Sequence, residues 1–268
     1  MLILGLETAT RQVACAVGRH DGVLASFRAA RERRHVETLV PAVEFICRQA
    51  GVELREMAAV AVDVGPGLFS GLRVGVSAAK ALALALRIPV VGVSSLDLLA
   101  FPVRHSNRLI VPAIDARRGE LFYAFYRQVP GGVQRLSDYQ VGTPDDLVSE
   151  LVASGEDSLL VGDGAQQYPE LLTAATGTEA GGPFTAYPSA AGLVELAHPL
   201  AMREEFVQPW ELEPMYLRKT DAEINWDRRA THAPAAGGRP ERPGAGGRPE
   251  RPGAGGRPER PGAGGIAS

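Results

Sequence analysis

Residues 62–80, VDVGPGLFSGLRVGVSAAK, constrain the fold more than any other stretch. The apolar run at 60–64 predicts a strand, and a glycine-rich turn, Gly65-Pro66-Gly67-Leu68-Phe69-Ser70-Gly71, follows it. A helix of small residues then opens at about Leu72 and runs through Ala78, Ala81 and Ala85. Strand, turn and helix together make one β–turn–α unit. Such a turn gathers backbone N–H groups at the positive end of a helix, where they can cradle an anion. It can equally let a helix pack close to a sheet, and physics favours that role because most glycine turns hold no phosphate. The spacing fits neither common nucleotide loop, GxxxxGK followed by Ser or Thr, or GxGxxG. The helix itself lacks a polar face. Between Val74 and Leu86 its only charge is Lys80, and five residues are alanine. A helix of this kind is buried in its own domain or covered by a partner.

The chain has 268 residues, enough for one large or two modest domains. Its two cysteines, Cys15 and Cys47, lie in apolar segments with no CxxC, which predicts buried free thiols. No basic, cleavable leader opens the sequence and no window reaches the roughly 18 apolar residues of a membrane span, so a cytoplasmic location without membrane contact is expected. From Ala230 onward six arginines face three glutamates; with a chain charge of −3 the remainder carries −6. An acidic body is a poor autonomous binder of nucleic acid.

The N-terminus predicts three strands, at 1–7, 12–17 and 23–29, with Asp21-Gly22 as a hairpin turn. Arg31-Glu32-Arg33-Arg34 reads as a solvated charge run. A helix is expected over 35–50, closed by Gly51. Val36, Leu39, Val40, Val43, Ile46 and Cys47 give it one apolar face, and Pro41 predicts a kink or a tight first turn. A strand at 89–93 and a helix at 96–101 capped by Ser94-Ser95 follow. Further on come strands at 108–113 and 121–127, a helix with Thr143 as N-cap and Pro144 at N1, a strand at 158–161, and helices at 167–174 and 189–198. The nonapeptide GGRPERPGA repeats three times near the C-terminus; with no apolar residues to bury, residues 230–268 are expected to be disordered.

Three antiparallel strands with Glu7, Thr8 and Thr10 at the first turn resemble the actin-like ATPase and sugar-kinase superfold, whose first turn faces nucleotide phosphates. Glu7 stands where that superfold carries Asp, so the turn reads as vestigial or as a capped hairpin. GPGLFSGLRVG resembles GPGSFTGLRIG, the hallmark of the bacterial TsaB (YeaZ) family. HVETLVPAV is similar to that family's HSERLLPLI, and IDARRGELFYAFY to its IDARRGEVY. VGDGA at 161–165 and the closing Pro214-Met215-Tyr216-Leu217-Arg218 also resemble family segments. Asp115, Arg117, Arg118 and Glu120 of the third motif read as a solvated hairpin turn or as a charge constellation in a cleft; the solvated turn is the simpler expectation.

The resemblance implies two actin-like α/β lobes with mixed sheets flanked by helices, at 1–105 and 106–229, and a disordered tail at 230–268. It implies a non-catalytic scaffold that forms a heterodimer with TsaD and works with the ATPase TsaE. The complex transfers a threonylcarbamoyl group to N6 of the adenosine next to the anticodon, in tRNAs reading codons that begin with A. By the same resemblance the partner meets His35, Leu39, Val43, Ile46, Val74, Ala78, Ala81, Leu82 and Ala85, which would also serve a homodimer. ATP and metal are expected in the partner subunits, no cofactor in this chain, and tRNA contact mainly through the complex. TsaD holds its metal through a His-x-x-x-His pair; here His35 is followed four residues later by Leu39, so neither a metal site nor a catalytic residue is expected. The competing class is an enzyme. An actin-like phosphotransferase would use Glu7, Thr8 and Thr10 at one phosphate turn and Asp163 and Gly164 at the other. A peptidase would need Ser70, which lies outside a GxSxG frame.

Overall fold

The computed structural model describes residues 1–30 and 34–218. β1 (Ile3–Glu7), β2 (Gln12–Arg19) and β3 (Gly22–Ala30) form an antiparallel meander. α1 (His35–Ala50) leads to β4 (Ala59–Gly65), which lies parallel to β1. α2 (Phe69–Leu86) crosses to β5 (Val90–Ser94), parallel to β4, giving the order β3-β2-β1-β4-β5. α3 (Ser95–Ala100) leaves this sheet, and the Ser94 hydroxyl caps it by accepting from the Leu96 N–H.

The second half repeats the plan. β6 (Leu109–Arg117) pairs antiparallel with β7 (Glu120–Tyr123), and the hairpin of β8 (Tyr126–Val129) and β9 (Gly132–Arg135) branches from it. β10 (Gln140–Gly142) adds to β7. α4 (Pro144–Ser154), held by a Thr143–Asp146 capping box, leads to β11 (Ser158–Val161), parallel to β6. α5 (Asp163–Gln167) and α6 (Pro169–Leu172) lead to β12 (Thr178–Ala180), parallel to β11. The order β10-β7-β6-β11-β12 matches the first sheet strand for strand, three antiparallel and then two parallel. This is the two-lobed actin-like architecture, with the β8–β9 hairpin as an insertion.

Alternation along the strands decides what covers each face of the first sheet. Leu4, Leu6, Cys15, Val60 and Val62 meet Leu39, Val43 and Ile46 of α1 and Val76, Ala79 and Ala83 of α2. The other face, with Ile3, Ala14, Ala16, Ala61 and Val91, takes Leu193, Val194 and Ala197 of α7 (Ala190–Met202). Each large aliphatic side chain so buried contributes about 1.5–3 kcal/mol of transfer free energy.

The path of α7 corrects the expected lobe boundary. The second sheet ends at β12, and the chain then returns to the first lobe rather than staying in a lobe spanning 106–229. Val207 bridges to Val90, Leu212 enters the first core, and the Met215 N–H donates to the Val64 carbonyl at 2.7 Å. The predicted tail at 230–268 and residues 31–33 of the charge run lie outside the described residues.

Other differences have local causes. α2 starts at Phe69, because the last part of the glycine turn is already helical. α1 continues through Pro41 and ends at Gly51 in the left-handed region (φ 66°). The expected strand at 121–127 divides into β7 and β8, and the expected helix at 167–174 shortens to α6, with the separate α5 ending at Gln167 before Pro169. α2, with 18 residues, is long and apolar enough by length and composition to cross a membrane, contrary to expectation. Here its Gly71, Leu72, Gly75, Val76, Ala79 and Ala83 are buried in the first lobe.

Candidate functional site

The glycine turn is occupied by protein. Gly67, Gly71 and Gly75 recur every fourth residue, so they share one side of the turn and of α2. A Cβ on Gly67 would overlap the Ala9 carbonyl, one on Gly71 the Thr8 carbonyl, and one on Gly75 the Thr8 hydroxyl. The β1–β2 turn therefore lies in a groove that only glycines leave open. The Leu68 N–H donates to the Ala9 carbonyl at 2.6 Å, and the Thr8 hydroxyl donates to the Gly71 carbonyl at 2.7 Å. His35, at the first position of α1, donates from Nε2 to the Thr10 carbonyl at 2.8 Å. Of the two roles open to such a turn, packing is the one the geometry realises.

Glu7, Thr8 and Thr10 are consequently buried, as is the end of β4 beside them. Glu7 Oε1 accepts from the Ala9 N–H at 2.8 Å, and Thr10 Oγ1 accepts from the Gln12 N–H at 3.3 Å. Asp63 Oδ1 accepts from the Ser95 hydroxyl at 2.6 Å and from the Gly65 N–H at 2.8 Å. Glu7 Oε2 and Asp63 Oδ2 have no hydrogen-bond partner among the described residues. Burial first, and then the Asp63 charge, hold the Glu7 carboxyl well above the usual carboxylate range. Burial likewise pushes Asp63 up to about 7, against the two hydrogen bonds that favour its ionised form.

The second phosphate-turn candidate also faces protein. Asp163 Oδ1 accepts from the Asp115 N–H at 3.1 Å, and Gly164 sits against the Ala113 carbonyl and the Leu121 side chain. Burial raises the Asp163 pKa. Asp115 is itself buried, while Arg117 and Arg118 of the turn are exposed and Glu120 is half-buried. Arg117 approaches it at 3.1 Å from the same turn and Arg11 at 3.9 Å from the β1–β2 turn. Arg117 and Arg118 both hold positive φ (66° and 60°), an uncommon conformation for non-glycine residues.

Three separated motifs converge on this region. Phe69 and Tyr216 have ring centroids 5.1 Å apart, Arg73 lies 3.9 Å over the Phe69 ring, and its Nε donates to the Tyr216 hydroxyl at 3.3 Å. Arg218 pairs with Glu120 at 2.7 Å. The closing segment therefore ties the start of α2 to the β6–β7 hairpin.

The helical face tells a different story from the one expected. His35, Leu39, Val43 and Ile46 point into their own lobe, so they are not on a surface open to a partner. The apolar stripe of α1 is wider than its own sheet needs; its centre is buried, and its flank leaves Val36 (71% exposed) and Val40 (59%) in solvent, with Phe45 nearby in sequence. On α2, Val74, Ala78 and Leu82 are half-buried at the core edge, whereas Ala81 and Ala85 are exposed beside Leu84 (56%). The sequence signal for Val36 and Val40 was their one-turn spacing along the edge of the stripe.

The chain is 31% identical over 231 residues to the tRNA threonylcarbamoyladenosine biosynthesis protein TsaB of Escherichia coli, covering 83% of this chain and 96% of that one. It belongs to the TsaB family. TsaB of Bacillus subtilis is 30% identical over 226 residues, covering 84% of this chain and 98% of that protein. A protein-family model described as "TsaD: tRNA N6-adenosine threonylcarbamoyltransferase" matches residues 22–226. A solved structure from Pseudomonas aeruginosa, described as an uncharacterized protein with similarity to peptidase YEAZ, superposes with a TM-score of 0.71 at 29% identity, covering 81% of this chain and 99% of that chain. The TsaB motifs named above are thus the elements that close the first turn and clasp the two sheets together.

Proposed function

We propose that this TsaB-family chain is a non-catalytic scaffold subunit of a cytoplasmic tRNA threonylcarbamoyladenosine complex. It pairs with a TsaD-type transferase through the exposed faces of α1 and α2, and a TsaE-type ATPase joins the assembly. The complex transfers threonylcarbamoyl to N6 of the adenosine next to the anticodon, in tRNAs reading codons that begin with A. The observation that carries this reading is the apolar surface of Val36, Val40, Ala81, Leu84 and Ala85 on two helices of one lobe. Alanines let a partner's backbone approach closely, and the exposed apolar positions gain from being covered. The same face is open to a second copy of the chain when the partner is absent.

A passive role in the chemistry is supported by the filled first turn. Thr8 holds the first turn against the glycine turn, and Glu7 and Thr10 are buried with bonds inside that first turn, so phosphate and metal chemistry falls to the partners. The acidic body leaves most tRNA phosphate contacts to them as well.

The test is pairing. Ala85→Glu places a charge on an exposed position, so the lone chain keeps its circular dichroism spectrum. Burying that unpaired charge in an apolar contact costs several kcal/mol, enough to lose a micromolar complex on gel filtration with TsaD. Co-elution unchanged from the parent chain would remove α2 from the interface. Tight magnesium-dependent ATP binding with turnover by the chain alone would favour the phosphotransferase instead.

A further inference from the structure

None of the five histidines lies within four residues of another, yet the fold brings two of them together. His20, in the β2–β3 turn, and His198, on α7, have ring centroids 5.9 Å apart with ring planes at 47°. With Arg19, Asp21, Glu195 and Pro199 they line a cavity of about 340 Å³. His198 Nε2 is shut off from solvent and has no hydrogen-bond partner among the described residues. A buried polar nitrogen left without a partner needs a physical reason. A divalent metal bonded to one nitrogen of each ring, at its usual 2.0–2.1 Å, holds the two ring centroids about 5–6 Å apart. The two imidazoles already stand at that separation.

We propose that His20 and His198 form a binding site for a divalent transition metal of the kind imidazole prefers, Zn²⁺ or Ni²⁺. No group of three or more metal-ligating side chains is assembled among the described residues, so water fills the remaining positions unless Asp21, exposed in the same turn as His20, rotates in. Glu195 is drawn instead to Arg104 at 3.1 Å. Burial, then the terminal amine and then His20 hold the His198 pKa below its ordinary value. Arg19 and the terminal amine oppose a cation here, while Asp21 and Glu195 favour one. Bound metal would join the β2–β3 turn to α7, the helix that carries the chain back to the first lobe.

The experiment uses the full, untagged chain, stripped with chelator and titrated with ZnCl₂ or NiCl₂ by calorimetry at about pH 7.5. One ion per chain should bind and raise the melting temperature, since a ligand of the folded state alone stabilises it. His20→Ala, in an exposed turn, and His198→Gln should each weaken binding by about tenfold or more. His105→Ala should not. Absence of saturable binding by the parent chain, or equal affinity in the His20→Ala/His198→Gln double variant, would overturn the assignment.

Discussion

The hydroxyl of Thr8 donates to the carbonyl of Gly71 at 2.7 Å, and a Cβ on Gly71 would run into the carbonyl of Thr8. This contact locks the turn that follows β1 into the start of α2. It explains why glycine recurs at 67, 71 and 75.

Gly71→Ala should therefore be costly. The clash is with backbone rather than a flexible side-chain tip, so about 3 kcal/mol or more of stability is expected to go. Gly192→Ala makes the control, because a Cβ there meets only the Ser189 side chain at an ordinary 3.8 Å. Urea unfolding of both variants measures the contrast; equal stabilities would mean the β1–β2 turn relaxes freely.

The buried acids set a pH dependence. Asp63 has a folded pKa pushed up to about 7, and that of Glu7 is also raised. A raised carboxyl pKa means the folded state holds more protons than the unfolded chain between the two values. Stability is then complete below about pH 4, the unfolded value, and falls as pH rises through about 7. Asp63→Asn keeps an Oδ1 acceptor for Ser95 and Gly65 while removing the charge, so it should flatten that decline. Denaturant midpoints between pH 4 and pH 8 test it; a parent chain whose stability rises steadily across this window would contradict the sign.

Adjacent residues on α1 should behave in opposite ways. Leu39 is 2% exposed in the first core, so Leu39→Ala should cost about 2–5 kcal/mol. Val40, one residue on, faces solvent, so Val40→Glu should change stability by less than about 0.5 kcal/mol. Under the proposed function it should nevertheless abolish co-elution with TsaD. Thermal melts and gel filtration separate the two effects, and a folded Val40→Glu chain that still pairs would take α1 out of the interface.

Arg87 ends α2 in the left-handed region, with φ 57° and ψ 44°. That conformation strains a residue with a Cβ by about 1 kcal/mol and suits glycine. Arg87→Gly should raise the unfolding midpoint modestly. A drop would show that the arginine side chain contributes more than its backbone strain costs.

Local pattern determined most of the elements. The Asp21-Gly22 hairpin, the α1 bounds and the Thr143-Pro144 helix start all follow from residues within a few positions of each other. The motif GPGLFSGLRVG also carried the family. Tertiary structure decided the rest, because it depends on contacts between residues far apart in the chain. α7 has apolar residues on several sides, and nothing in its own sequence says that it returns to β1 and β2 rather than covering the second sheet. The stripe of α1 could not reveal which half is buried until the sheet beneath it was in place, so Leu39 and Val40, on one apolar face by periodicity, part into core and surface. The pairings of Arg11 with Asp115, Arg218 with Glu120 and His20 with His198 span 98 residues or more each. Sequence supplies the charges and rings; only the packing of one sheet and helix against another sets the distances at which they act.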